Sequence, residues 1–418
     1  MDSAEREGLR PKGNVPNLRF PEFQGEWEEH YLSDYLDFKN GLNPKPDKFG
    51  RGIKFISVMD ILNNTVITND CIRVSVDVSE EELHNFCVEN GDMLFQRSSE
   101  TLEDVGRASV YMDDKPAVFG GFVIRGKKKA EYNPLFFRYL LASPFARRKI
   151  IPMGAGAQHF NIGQEGLNRV KLHFASLDEQ KKIATFLSLL DERIATQNKI
   201  IDKLQSLIKG LEDNLLDNPL WKKTYLRSFM QFFSTNSLSW EQLSYKEGAI
   251  RNLHYGLIHG FQTRGINSAS LPMIKNEAIP KQYTLCQVGD VAFADASEDT
   301  GEIAKSVEFV DTIEGDTICG LHTIHGRDIK NRTVVGFKGF AFNSRYFHNQ
   351  IKRLAQGTKV FSITANNLSS CYVYLPDMDT QTVIVRLLKS YEEQLIIDRM
   401  IFKQYEKQKQ YLLRQMFI

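Results

Sequence analysis

Three short stretches of the chain carry residue types that could do chemistry. Asn133-Pro134-Leu135-Phe136 differs by one residue from a motif that serves adenine methyl transfer. However, Asn before Pro at a helix start is ordinary N-cap chemistry, and no glycine-rich cofactor strand accompanies it. His322 and His325 are spaced like metal ligands. No Cys, Asp or Glu is arranged with them in the sequence, so they read as surface or core histidines and no metal is expected. Residues 154–157, Gly-Ala-Gly-Ala, resemble a phosphate loop but lack its lysine and hydroxyl. They read as a flexible connector, a hinge between a domain and the element that follows. With no paired catalytic motif and no cofactor loop, the expectation is a non-enzymatic binding protein.

The elements that must position any binding residues are two long helices and the domains in front of them. Ile183, Leu187, Leu190, Ile194, Gln197, Ile201, Leu204, Ile208, Leu211 and Leu215 alternate at spacings of four and three, a period of 3.5 that keeps one apolar seam facing a partner helix. Only Gln197 interrupts it. About 40 such residues make a rod roughly 60 Å long. The partner is in the same chain. At an offset of 201 residues, Ile384, Leu388, Tyr391, Leu395, Asp398, Phe402, Tyr405, Lys409, Leu412 and Met416 repeat the ladder, with Asp398 in the place of Gln197 and Lys409 as a second polar rung. The pair Gln197 and Asp398 is expected to set register and orientation at some cost in stability.

The repeat extends upstream of the helices. Gly156, Phe160, Ile162, Leu167, Asp178 and Gln180 meet Gly357, Phe361, Ile363, Leu368, Asp379 and Gln381 at the same offset. Gly91-Asp92 meets Gly289-Asp290, and Trp27, Tyr31 and Leu32 meet Trp221, Tyr225 and Leu226. A whole domain plus its helix therefore occurs twice. The expected fold class is α+β: two similar α/β domains separated by two long helices that pair as an antiparallel coiled coil, a pseudo-two-fold internal repeat. The expected boundaries are 1–16 for a flexible tail, 17–176 and 219–376 for the two domains, and 177–218 and 377–418 for the helical regions. Within the first domain, Asn133-Pro134 should start a helix that Pro144 interrupts.

Composition narrows the class. The 53 basic and 52 acidic residues leave a net charge of +1, so any charged binding face must be local. Five cysteines without a CxxC suggest neither a disulfide framework nor a zinc site, and the chain reads as reduced and cytoplasmic. No apolar run approaches membrane-spanning length.

Leu177-Asp178-Glu179-Gln180-Lys181-Lys182-Ile183 with Phe186-Leu187, Leu190 and Asp191 resembles the conserved helical region of type I restriction-modification specificity subunits. The opening at 17–27 and the segment 156–162 are similar to that family too, and the resemblance covers nearly all of the chain beyond the tail. Here the first copy has His173-Phe174-Ala175-Ser176 where the family usually has a proline before the helix. The second keeps Pro376 but has Asp379-Thr380-Gln381 without the glutamate. The resemblance implies two target recognition domains, each reading one half of a bipartite, asymmetric site on double-stranded DNA. The coiled coil would set the spacer and dock two adenine methyltransferase (modification) subunits, and restriction subunits would join that core. It also implies no cofactor in this chain: S-adenosylmethionine belongs with the methyltransferase partner, ATP and Mg with the restriction partner, and no membrane is involved.

Phosphate contact needs Lys or Arg with mobile reach, and base-edge contact favours Arg, Lys, Asn, Gln, Ser and Thr in loops. The candidates in the first half are Lys45, Lys48, Arg51, Arg97, Ser98, Arg107, Gln158 and His159. In the second half they are Arg264, Lys305, Arg327, Arg345, Lys352 and Lys359. Each is weighed against being a solvated surface residue. Two other classes of function stand beside the leading one: a bivalent coiled-coil protein scaffold, and a self-sufficient DNA methyltransferase or nuclease.

Overall fold

A computed structural model describes residues 13–261, 264–266, 268–311, 313 and 315–418. The chain divides into two compact units, Met1–Gln197 with Ile401–Ile418, and Asn198–Met400. Most of the expected tail, residues 1–12, lies outside the described residues. Its remainder is tied down, because the Asn14 carbonyl accepts the Trp27 amide at 2.8 Å and Pro16 is buried.

In the first unit, Glu28–Tyr31 pairs antiparallel with Lys171–Phe174, Glu28 opposite Phe174. This brings the start of the domain to its end, just before the long helix Leu177–Leu216. Between these strands a five-stranded sheet runs in the order Leu36–Asn40, Val123–Lys128, Met93–Gln96, Ala108–Tyr111 and Val66–Ile67. A four-stranded sheet holds Ser75–Val76, Phe49–Ile56, Ala117–Phe119 and Cys87–Val88. The helix Pro134–Ala142 begins where its sequence says it should. Asn133 Oδ1 accepts the Phe136 amide at 2.9 Å and Pro134 supplies the preset φ of the first turn. It stops at Ala142, and Ser143-Pro144 restarts a second helix, Pro144–Ile150, with the Ser143 hydroxyl as its cap. Phe136 and Phe137 are fully buried under the five-stranded sheet, a contribution of about 2–3 kcal/mol each.

The second unit repeats the plan. Its five-stranded sheet has the equivalent order: Met230–Phe233, Thr323–Asp328, Val291–Ala294, Ser306–Phe309 and Gly265–Ile266. Lys222–Tyr225 pairs with Tyr372–Leu375 before the second long helix, Met378–Gln415. The Gly-Asp turns recur because each performs the same task. Gly91 and Gly289 take φ of +94° and +88°, where a side chain would strain the backbone. The following carboxylates then collect amides, Asp92 from Glu89 at 3.0 Å and Asp290 from Gln287 at 2.8 Å.

Each unit contains an antiparallel end of the helix pair. In the first, Ile183, Leu187 and Leu190 share a core with Leu412, Leu413 and Met416. In the second, Leu211, Leu215 and Leu216 share one with Ile384 and Leu388. Every rung of both ladders is buried or half-buried, while off-ladder residues such as Leu189, Leu207, Val383 and Met400 are exposed. Gln197 and Asp398 are both buried. The helix starts are capped by Ser176 and Asp377, whose oxygens accept the Glu179 and Thr380 amides at 3.4 and 2.8 Å.

The expected hinge at 154–157 is not one. Ala155 and Asn161 exchange both backbone hydrogen bonds at 2.9 Å, and the Ile162 amide donates to the Arg97 carbonyl at 2.9 Å. Gly156 sits at φ +148°, where a Cβ would collide with the His159 carbonyl. Gly357 and Val360 repeat the arrangement. The glycines serve a tight hairpin stitched to its own domain, and a helix and a strand separate it from the rod.

Candidate nucleic-acid interface

In the first unit the candidate residues fall into two groups. Lys45, Lys48 and Arg51 are exposed on the loop and strand start that rim the four-stranded sheet. Asp77 lies 3.6 Å from Lys48 and 3.2 Å from Arg51, pairs open to water and therefore weak. Nearby, an apolar cleft of about 380 Å³ is lined by Pro44, Phe49, Phe55, Met59 and Phe122. Phe122 is 68% exposed. An exposed aromatic ring beside cations has the chemistry for stacking on, or wedging between, bases. The sequence reading missed Phe122, although a Phe after Gly120-Gly121 is where a backbone turn could present one.

The second group is assembled by pairing. Phe160–Asn161 lies antiparallel to Ser98–Ser99, with Asn161 opposite Ser98. This sets the exposed loop of Gln158 and His159 beside Arg97 and Ser98. The Ser98 hydroxyl donates to Asn161 Oδ1. Arg97 is half-buried and donates to the Gly121 carbonyl at 3.1 Å, so it props the turn that carries Phe122. Arg107 is exposed, next to Asp104 at 3.3 Å.

In the second unit the structure separates the candidates. Arg327 is committed to Asp290 by two bonds of 2.8 and 2.7 Å and to the Leu285 carbonyl. Lys305 is held by Glu302 at 3.0 Å and the His259 carbonyl at 3.3 Å. Arg264 points at the long helices, 3.9 Å from Glu212, and lines a cavity of about 550 Å³ with Lys305, Arg345, Glu302 and Glu392. Burial pushes the Glu392 carboxyl up to about 7 against the pull of Arg264. Arg264 and Lys305 thus face carboxylates of their own unit, while Arg345, at the mouth of the same cavity, Lys352 and Lys359 are exposed. Lys359 occupies the hairpin closed by Gln356 and Ser362, the position of Gln158 in the first unit.

His325 is buried, the core placement that was one of its two expected ones. The fold surrounds it with Cys286, Cys319 and Asp290, partners that the sequence reading did not find because strand pairing brings them from far along the chain. His322 hydrogen-bonds Asp295 at 3.0 Å.

The helices are locked to the domains in matched ways. Gln180 accepts the Asn133 amide at 3.0 Å and donates to the Ala175 carbonyl at 2.9 Å; Gln381 accepts the Val334 amide at 3.0 Å and donates to the Arg332 and Pro376 carbonyls, both at 3.0 Å. Glu179 receives Arg19 in a two-pronged bond of 2.8 and 2.7 Å and the Trp27 indole at 3.2 Å. The second copy holds Thr380 there, and residue 213, the counterpart of Arg19 at the Trp27-to-Trp221 offset, lies inside the first long helix.

Two copies of one α/β scaffold, each locked to an end of a helix pair and each edged by cations, define a bivalent recognition protein. Residues 24–206 match the family model described as the type I restriction modification DNA specificity domain. The chain is 24% identical over 418 residues to a protein designated the type I restriction enzyme MjaX specificity subunit of Methanocaldococcus jannaschii, covering 96% of this chain and 95% of that one. It is 22% identical over 417 residues to the MjaVIII specificity subunit of the same organism, covering 95% and 92%. In fold it is similar to the crystal structure of the type I restriction-modification system S subunit from M. genitalium, with a TM-score of 0.57, 15% identity and coverage of 97% and 99%. Over nearly its whole length the chain is thus similar to specificity subunits of type I restriction-modification systems, and its first unit matches the model of their DNA specificity domain. No helix among the described residues is long and apolar enough to cross a membrane.

Proposed function

We propose that this chain reads DNA sequence for a cytoplasmic type I restriction-modification complex and has no catalysis of its own. The observation that carries the reading is the duplication: one scaffold occurs twice, with equivalent strand order in its five-stranded sheet and the same glutamine lock onto its helix, but with unlike side chains on its exposed loops. Equal scaffolds with unequal surfaces suit two different half-sites of one asymmetric target. In the first unit the contacts fall to Lys45, Lys48, Arg51, Phe122, Gln158 and His159. In the second they fall to Arg345, Lys352 and Lys359.

The helices, of 40 and 38 residues, set the unread spacer between the half-sites and present the surface on which two adenine methyltransferase subunits dock. The target adenine is flipped into the methyltransferase, so S-adenosylmethionine belongs to that partner. ATP and Mg belong to the restriction subunits.

The test is to map methylated adenines in a genome that carries this chain together with its methyltransferase. A split motif with two fixed halves and a constant gap is expected. Inserting one heptad into both helices should lengthen the gap and leave the halves unchanged. Methylation at a single uninterrupted site, or a gap indifferent to the insertion, contradicts the reading. Methyl transfer by the isolated chain would return it to the enzymes.

A further inference from the structure

We propose that Cys286, Cys319 and His325 form a binding site for one thiophilic divalent cation of the zinc class inside the second unit. The two Sγ atoms are 3.6 Å apart, and a ring nitrogen of His325 completes a set of three ligand atoms lying within 4.8 Å of one another. A tetrahedral zinc ion, with bonds of about 2.3 Å to sulfur and about 2.0 Å to nitrogen, separates two thiolates by about 3.8 Å and a thiolate from an imidazole by about 3.5 Å. The sulfurs already stand close to that edge length.

The surroundings fit an ion as well as the three donors do. His325 Nε2 is bonded to Asp290 at 2.7 Å, and Asp290 is fixed in turn by Arg327. A carboxylate on one ring nitrogen sets the tautomer and leaves the other nitrogen, Nδ1, to the ion. Two thiolates and a neutral imidazole cancel the charge of a dication, so the loaded site is neutral where all three side chains are buried. Binding releases the two thiol protons to solvent. Cys319 and His325 also line a cavity of about 160 Å³ with Thr235, Asn236 and Tyr283, which gives a fourth ligand such as water a place and an approach.

The fold does not require these donors. In both units the same strands meet: Val88 lies opposite Ala117 as the Cys286 amide meets the Thr317 carbonyl, and Arg125 lies opposite Leu94 as His325 lies opposite Ala292. The first unit fills the three positions with Val88, Phe119 and Arg125, whose guanidinium stacks over the Phe119 ring at 5.5 Å. An apolar and cationic filling packs the same scaffold, so two thiols and an imidazole are particular to the second unit.

The test uses the full chain, reduced, stripped with a chelator and titrated with Co²⁺ alone and then Zn²⁺. One Co²⁺ per chain is expected, with a thiolate-to-cobalt charge-transfer band that one equivalent of Zn²⁺ removes, and Zn²⁺ should raise the Tm. Cys286→Ser combined with Cys319→Ser should abolish the band, and His325→Ala should weaken binding at least about tenfold. His322→Ala should change neither. If the double serine variant does not fold, Cys286→Val, which installs the first unit's residue, takes its place. Co²⁺ uptake without the band, uptake that survives loss of the thiols, or no uptake by the reduced chain would each overturn the assignment.

Discussion

Lys409 reaches Asp191 across the helix pair of the first unit, Nζ to Oδ1 at 2.5 Å, and Tyr139 donates to the same carboxylate at 2.8 Å. The one basic rung of the second ladder is thereby answered by the first helix and by its domain. The pair is only about a quarter exposed at either end, so it is shielded from water and salt more than a surface pair. Lys409→Met or Asp191→Asn should each destabilise the protein by about 1–3 kcal/mol, because each leaves a partly buried group without its partner. A double-mutant cycle in urea unfolding should return a coupling of about 1 kcal/mol or more. A coupling near zero would mean that the pair fixes nothing.

Gln180 and Gln381 should act as locks between helix and domain. Gln180→Ala removes two bonds from a side chain that is 3% exposed, and Gln381→Ala removes three from one that is 1% exposed. At about 1 kcal/mol for each bond, the expected losses are about 2–3 kcal/mol. Amide exchange at Asn133 and Val334, whose N–H groups lose their acceptors, should quicken first in the respective variants. Unaltered exchange there would show that the helices are held by apolar packing alone.

The rim of the first unit should govern DNA affinity without affecting the fold. Replacing Lys45, Lys48 and Arg51 by alanine removes three exposed cations. The salt dependence of binding in the presence of the methyltransferase should then shallow by about 0.9 for each phosphate that is no longer neutralised. Phe122→Ala should weaken binding by about 1–3 kcal/mol at any salt, because stacking is not screened. If both variants bind with the parent's affinity and salt slope, the DNA face of this unit is elsewhere.

Glu392 should make stability depend on pH. Its carboxyl titrates near 7 in the folded protein and near 4.5 when released, because burial outweighs Arg264, while Glu212 and Glu393 add to the rise. The folded state therefore holds a proton that the unfolded chain has lost. The resulting stability is fully present below about pH 4.5 and is lost as pH rises to about 7. The loss is at most about 3 kcal/mol, reduced by water at its half-buried position. Glu392→Gln should raise the Tm at pH 8 and leave it near the parent's at pH 5. An equal shift at both values would assign the effect to packing.

Much of the architecture was legible because it depends on period and on local rules. A 3.5-residue ladder can be satisfied only by a facing helix, and its second occurrence at a constant offset names that helix within the same chain. Asn133 before Pro134 sets a helix start through a neighbour three residues away, and Pro144 marks where that helix is interrupted. Gln180 and Gln381 were visible as a matched pair, though their acceptors and donors were not.

The surroundings of the candidate cations were not legible in the sequence, and Arg327 shows why. Composition marks an arginine as a candidate for phosphate, but its true partner, Asp290, lies 37 residues earlier and is aligned only by adjacent strands. Arg264 likewise turns from solvent toward Glu212 because the second unit packs its own helix ends there. The sequence alone determined that one domain-and-rod unit occurs twice and that its rods pair, since periodicity and repetition are properties of the chain itself. Only the tertiary structure decided which candidate cations face carboxylates inside their own unit, that Phe122 protrudes, and that Cys286, Cys319 and His325 meet. Those outcomes depend on strand register and burial, which join residues that no local spacing connects.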